Sequence, residues 1–358
     1  MNLNLDNKKS WPIAFNKPLI IAGPCSAESE DQMLNIAHEI KKYPNILFRA
    51  GIWKPRTRPN SFEGIGERAL KWMDSVKKKT GLQTTTEVAN AHHVEVALKH
   101  DIDVFWIGAR TTVNPFAIQE IADALRGTNK PVMVKNPMNP DVNLWIGAIE
   151  RLNAVGLTKI AAIHRGFFAY NNIKYRNLPQ WQLAIELRRL IPGIPMICDP
   201  SHISGNRSLI KEVSQKAIDM NYDGLMIETH INPDKALSDN AQQVTPQQLD
   251  EILSSLIIRS SEIENNEFKS SLDELRIQID DLDNELLDVL KRRMNVAEEI
   301  GIHKKEKGVT ILQSARWEEL LLSRINHGVK NGLSEDFMSK LLKAIHQESI
   351  NRQIKVMN

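Results

Sequence analysis

At 358 residues the chain exceeds one ordinary compact domain, so two domains are the natural expectation. Its apolar fraction of 42% is enough to bury a sizeable core, and its charged fraction of 25% is ordinary for a soluble protein. Lys plus Arg (46) nearly balances Asp plus Glu (44), which removes any general electrostatic case for nucleic acid or a membrane surface; anion binding must come from local arrangement.

The opening residues, MNLNLDNKKSWPIAF, lack an apolar run of signal-peptide length, and no later stretch is long enough for a membrane span. The two cysteines, Cys25 and Cys198, both fall in strand-like runs, so the sequence predicts reduced thiols and a cytoplasmic location.

From residue 18 to about 257 one pattern repeats: a short β-branched apolar run, a small loop, then an amphipathic helix. The candidate strands cover 19–25, 46–53, 82–88, 104–110, 131–136, 159–165, 195–199 and 224–228. The last helix of the series opens on the cap-and-first-turn pair Thr245-Pro246. Alternating units of this number and length predict an α/β fold, a (β/α)8 TIM barrel. A doubly wound sheet fits less well, because no G-x-G-x-x-G follows the first strand. In a barrel, the active site lies at the carboxyl ends of the strands.

Those ends carry chemistry. In chain order they present Cys25, Arg49 with Lys54 and Arg56 beyond it, Glu87, Arg110, Lys135, Arg165, His202, and Glu228 with Asp239 in the loop that follows. Arg49, Lys54, Arg56, Arg110, Lys135 and Arg165 make a cationic ring suited to phosphates and a carboxylate. Cys25, His202, Glu228 and Asp239 make a mixed S/N/O set suited to a divalent Mn, Fe, Co or Zn ion rather than to magnesium. Taken singly, the cysteine is more often a core residue and the histidine more often structural. All of these groups at one barrel mouth favour a site.

Residues 259–270 are polar and read as a linker, which places a first domain at 1–258 and a second at 271–358. The second domain shows only helical periodicity. Leu272, Leu275, Ile279, Leu282, Leu286, Val289, Arg293, Val296 and Ile300 follow 3-4 spacing, with Lys304 one turn further on. The last helix places Ser349 and Gln353 on an apolar face. One reading is a dimerisation helix with stray polar groups in its seam. Inward-facing cations are costly without a partner, which favours a pocket for a polyanion.

The motifs GPCS, KPRTRP, GAR, HRG and DPSH, in this order, resemble the type I (beta) 3-deoxy-D-arabino-heptulosonate 7-phosphate (DAHP) synthases over about residues 11–258. The resemblance implies condensation of phosphoenolpyruvate with erythrose 4-phosphate at the entry to the shikimate pathway. It makes Cys25, His202, Glu228 and Asp239 the metal ligands. It assigns phosphoenolpyruvate to Arg49, Lys54, Lys135, Arg110 and Arg165 with the amides of Gly108 and Ala109, and erythrose 4-phosphate to Arg56 and Thr57. Lys54 would then be a proton donor and Glu87 the carboxylate that activates water. The related synthases using arabinose 5-phosphate would have Asn where this chain has Pro55. Val113 stands where the family often has Gln.

Residues 271–355 resemble the all-helical chorismate mutases, which convert chorismate to prephenate without an acid-base group. The implied binding residues are Arg276, donated across a dimer, with Arg293, Lys304, Arg316, Ser349 and Gln353, of which Arg293, Lys304 and Gln353 would be catalytic. Gln313 and Trp317 replace the Asp and Glu usual around Arg316. The sequence thus implies a bifunctional enzyme that is a homodimer or higher oligomer through its helical domain and is open to feedback through that domain. The alternative is a tail that only dimerises or senses a ligand.

Overall fold

The computed structural model describes residues 3–13, 15, 18–44, 46–55, 61–170, 174–260 and 266–358, apart from the side chains of 266, 267, 314 and 315. The chain divides into two compact units, Met1–Ser261 and Glu262–Asn358.

The first unit is a closed barrel of eight parallel strands: β1 (Leu19–Gly23), β2 (Ile46–Arg49), β3 (Gln83–Val88), β4 (Val104–Ile107), β5 (Val132–Lys135), β6 (Ile160–His164), β7 (Met196–Cys198) and β8 (Gly224–Glu228). Each strand pairs with the next, and β8 returns to β1. Around it run α1 (Glu30–Ile40), α2 (Leu70–Thr80), α3 (Ala91–Lys99), α4 (Pro115–Leu125), α5 (Val142–Ala154), α6 (Trp181–Leu190), α7 (Ile210–Asp219) and α8 (Pro246–Ser255). Side-chain caps start several of them: Ser29, Asn90, Asn114 and Asp141 accept from first-turn amides, and Thr245 with Gln248 forms a reciprocal capping box.

Strand alternation sorts the side chains. Leu19, Ile21, Leu47, Val104, Trp106, Met133, Ala161, Ile163, Ile197 and Met226 fill the barrel interior as one buried cluster, joined by Trp11 and Ile13. The other parity packs outward against the helices, as with Phe48, Phe105, Val134 and Cys198. The same period of two decides what sits at the mouth. Two residues beyond Leu47 lies Arg49, beyond Met133 Lys135, beyond Ile163 Arg165, beyond Ile197 Asp199 and beyond Met226 Glu228. Polar residues at these positions turn the top layer of a packed core into a charged chamber.

The strands stop earlier than the apolar patterns suggest. β4 ends at Ile107 because Ala109–Thr112 coil into a short helix, with the amides of Thr111 and Thr112 bonded back to Gly108.

The second unit is three helices: α9 (Asn266–Glu306), α10 (Ser314–Lys330) and α11 (Glu335–Met357). α9 is 41 residues long and begins at Asn266, inside the stretch whose polarity suggested a linker. A polar first turn is common in helices, so a helix can begin within a stretch of such composition. α11 packs on both α9 and α10. Among the described residues, no helix is long and apolar enough to cross a membrane.

Candidate active sites of the two units

At the barrel mouth, donors far apart in sequence converge. One ligand atom each from Cys25, Glu228 and Asp239 lies within 4.8 Å of the others. Cys25 Sγ is 3.4 Å from Asp239 Oδ2, and His202 Nε2 is 3.8 Å from Glu228 Oε1. His202 Nδ1 is held by Asp199 Oδ2 at 2.8 Å, which leaves Nε2 turned toward the cluster. Glu228 is fully buried, and its Oε1 has no hydrogen-bond partner among the described residues, although Arg49 Nη2 stands 3.1 Å away. Burial and the neighbouring Glu228 carboxylate push the Cys25 thiol up to about 12. A thiol, an imidazole and two carboxylates are packed together here, with a carboxylate oxygen unpaired among the described residues. A divalent ion fits this donor set and would bring the sulfur to its thiolate form.

Beside the cluster is a pocket lined by Lys54, Pro55, Glu87, Gly108, Ala109, Arg110, Lys135, Arg165, Arg176, His202 and Asp239. Lys54 Nζ donates to Cys25 Sγ at 3.0 Å; burial alone would lower its pKa, but the negative charge of the Cys25 sulfur when ionised and of the Glu228 and Glu87 carboxylates raises it above the ordinary value. Arg49, 1% exposed and 3.1 Å from Glu228 Oε1, sets its guanidinium 4.9 Å from the centre of the Trp106 ring. Its Nε and Nη1 have no partner among the described residues, so two buried donors are available to an acceptor. Lys135 is fixed by Asp199 at 2.8 Å and Arg165 by Asn177 Oδ1 at 2.7 Å. Glu87 receives the Trp106 indole N–H at 3.0 Å, and it comes so close to Gly108 that a Cβ there would lie 2.2 Å from Glu87 Oε1.

The expected residues of the barrel therefore meet at one place, except Arg56 and Thr57, which fall outside the described residues. Three groups escaped the sequence reading. Asp199 orients both Lys135 and His202; its inward parity after Ile197 was the available signal. Trp106 supports Arg49 and Glu87. Arg176 lines the pocket from a loop with no periodic signal at all.

In the helical unit, Arg293, Lys304, Gln313, Arg316, Trp317, His346, Ser349 and Gln353 line one pocket with Val296 and Ile300. Arg293 donates to Ser349 Oγ and Lys304 to the Ile311 carbonyl. Gln353 is buried with its Oε1 unpaired among the described residues, and burial lowers the Arg293 pKa. Gly301 permits the close approach of α11 here, since a Cβ would lie 3.0 Å from the Gln353 Cα. The Trp317 ring stacks on His346, centroids 3.7 Å apart. Arg276 is not in this pocket: it is exposed and pairs with Asp273, about 25 Å along α9 from Arg293 by helical rise.

A closed parallel barrel whose mouth gathers cationic side chains beside a cluster of potential metal ligands is the frame of an enzyme acting on anionic substrates. Comparison with known proteins makes this specific. Residues 7–264 match the DAHP synthetase I family, and residues 275–354 match chorismate mutase type II. The chain belongs to the DAHP synthetase I family and carries a chorismate mutase type II domain after its barrel.

A phospho-2-dehydro-3-deoxyheptonate aldolase of Thermotoga maritima is 32% identical over 225 residues, covering 63% of this chain and 64% of that protein. A 2-dehydro-3-deoxyphosphooctonate aldolase of Desulfatibacillum aliphaticivorans is 30% identical over 265 residues, covering 67% of this chain and 90% of that one. The crystal structure of the Thermotoga maritima DAHP synthase superposes with a TM-score of 0.62 at 27% identity, over 76% of this chain and 75% of its own.

Proposed function

We propose that the barrel condenses phosphoenolpyruvate with erythrose 4-phosphate and water to give DAHP and inorganic phosphate, and that the helical domain rearranges chorismate to prephenate. The observation that carries the first reading is the adjacency of the Cys25–His202–Glu228–Asp239 donor set to the pocket of Lys54, Arg110, Lys135 and Arg165. A divalent ion held by those four residues would polarise the aldehyde of the sugar phosphate.

The chain's own residues supply the rest. Arg49, Arg110, Lys135 and Arg165, with the Gly108 and Ala109 amides, bind the phosphate and carboxylate of phosphoenolpyruvate and offset the repulsion between two anions. Lys54 delivers a proton to the aldehyde oxygen as C3 of the enol attacks C1. The carbon left electron-poor at C2 takes up water, whose proton passes to Glu87, and loss of phosphate completes the turnover. Arg56 and Thr57 hold the sugar phosphate. Pro55, on the pocket wall, favours the four-carbon sugar over arabinose 5-phosphate. Release of phosphate with each aldose tests that choice: turnover with arabinose 5-phosphate equal to that with erythrose 4-phosphate would overturn it.

In the tail, Arg293, Lys304, Arg316, Ser349 and Gln353 bind the two carboxylates and ether oxygen of chorismate and hold it in its reactive chair. Arg276 completes the site of a second copy. The exposed Leu275, Ile279, Leu282, Leu286 and Val289 on α9 support such a dimer, because an apolar stripe of this length calls for cover. Prephenate bound in this pocket would lower the synthase rate; an unchanged rate at saturating prephenate excludes that coupling. The Trp317–His346 stack favours a second reading, a tail that binds without catalysing. Chorismate consumption by the full chain, beside an Arg293→Ala control, separates the two.

A further inference from the structure

We propose that Arg176 and Gln242 are positioning residues that preset Glu228 and Asp239 for the cation; the inference rests on the metal reading above. Arg176 Nη1 donates to Asp239 Oδ1 at 3.0 Å and to Gln242 Oε1 at 2.6 Å. Gln242, 1% exposed, passes the contact on: its Nε2 donates to Glu228 Oε2 at 2.7 Å. One guanidinium nitrogen therefore governs both carboxylates, one directly and one through an amide.

The division of oxygens gives this brace its meaning. It occupies Asp239 Oδ1 and Glu228 Oε2. The oxygens left over are Asp239 Oδ2, 3.4 Å from Cys25 Sγ, and Glu228 Oε1, 3.8 Å from His202 Nε2. Each carboxylate is thus turned so that its second oxygen faces another member of the donor set, Glu228 Oε1 with Arg49 Nη2 also 3.1 Å away. Only a side chain that both accepts and donates suits position 242, and glutamine does this while glutamate cannot without a proton.

Arg176 is itself held by the segment that carries His202. The amides of Arg176 and Asn177 donate to the Ser204 and Ile203 carbonyls at 3.2 and 3.1 Å, and Asn177 Nδ2 donates to the His202 carbonyl at 2.7 Å. Gly205, at φ +64°, makes room: a Cβ there would lie 2.4 Å from Arg176 Cβ. Asp239 also sits in the left-handed region, at φ +46°, so its loop needs outside support to hold its place. Arg176 keeps 44% of its side chain exposed and lines the pocket. A purely substrate-binding role for it is therefore the rival to exclude.

The test uses the full chain, stripped of metal by chelator and titrated with Mn2+ alone by calorimetry. Arg176→Leu and Gln242→Leu should each weaken Mn2+ binding about 10- to 100-fold, with far-ultraviolet circular dichroism unchanged. Arg176→Lys, which keeps the charge without the fork, should recover part of the loss and serves where Arg176→Leu folds poorly. Because Gln242 carries only the arm to Glu228 while Arg176 also holds Asp239 directly, the double variant should lose little more than Arg176→Leu alone. Affinities within twofold of wild type in folded variants overturn the brace. So does a raised KM for the sugar phosphate at unchanged Mn2+ affinity, which makes Arg176 a substrate contact. Absence of Mn2+ binding by the wild type would instead overturn the parent metal reading.

Discussion

His164 and Glu87 show how much single side chains depend on what is packed around them. His164 is fully buried on β6. Its Nε2 meets the Pro179 carbonyl at 2.6 Å and its Nδ1 the Tyr222 hydroxyl at 2.9 Å. Burial pushes its pKa down to about 4 from the ordinary 6.5, so the folded state holds the ring neutral. The unfolded chain binds that proton more readily. The stability this group contributes is therefore complete above pH 6.5 and is lost as pH falls toward 4. Between pH 7.5 and 5 the loss from this ring alone is about 2 kcal/mol. Urea midpoints measured in chelator should fall more steeply over that interval for wild type than for His164→Gln; parallel curves would remove the claim.

For Glu87 the expected outcome is catalytic. Glu87→Gln keeps the Trp106 contact but cannot take a proton, so kcat should drop about 10²- to 10⁴-fold with the KM for phosphoenolpyruvate little changed. Gly108→Ala should also lower kcat, because the new methyl would enter the space of Glu87 Oε1. A variant with full kcat would show that Glu87 has no need of its present place.

At the scale of elements, the polar residues at the carboxyl ends of the predicted strands made the site legible, and the structure adds the strand parity that turns them inward. Arg49, Lys135, Arg165 and Glu228 follow inward core residues by two. Strand ends were harder to place, since residues such as Cys25 and Arg110 continue a strand-like pattern after the ladder has stopped. Arg176 and Gln242 were not legible: both lie in connections whose path is set by tertiary contacts, so no periodicity marks them.

In the tail, the 3-4 spacing revealed both α9 and the polar interruption at Arg293, while nothing local revealed that Trp317 would stack on His346. The separation of Arg276 from Arg293 on one rigid helix makes a strong prediction. Arg276→Ala and Arg293→Ala should each abolish mutase activity alone. Mixed after dissociation and reassembly, they should recover about a quarter of the wild-type rate, because hybrid dimers hold one intact pocket. No recovery, despite hybrids seen by mass spectrometry, would place Arg276 outside the site.

For the whole molecule, the two units join the entry step of a pathway to a later one in a single chain, if both activities are as proposed. A dimer through α9 would bring two barrels into the same assembly. Leu282→Glu with Leu286→Glu should convert the protein to a monomer by sedimentation and remove mutase activity, while leaving condensation by the barrel measurable. An unaltered sedimentation coefficient would mean that the exposed stripe is covered by something else.

The central claim is that Cys25, His202, Glu228 and Asp239 hold one cation next to a pocket for two anionic substrates. Phosphate release from phosphoenolpyruvate plus erythrose 4-phosphate, followed before chelation, after it, and after Mn2+ is restored, tests that claim directly. The account predicts turnover, then its loss, then its return, with Cys25→Ala inactive throughout. Turnover that survives complete removal of metal, or that persists in Cys25→Ala, would contradict it.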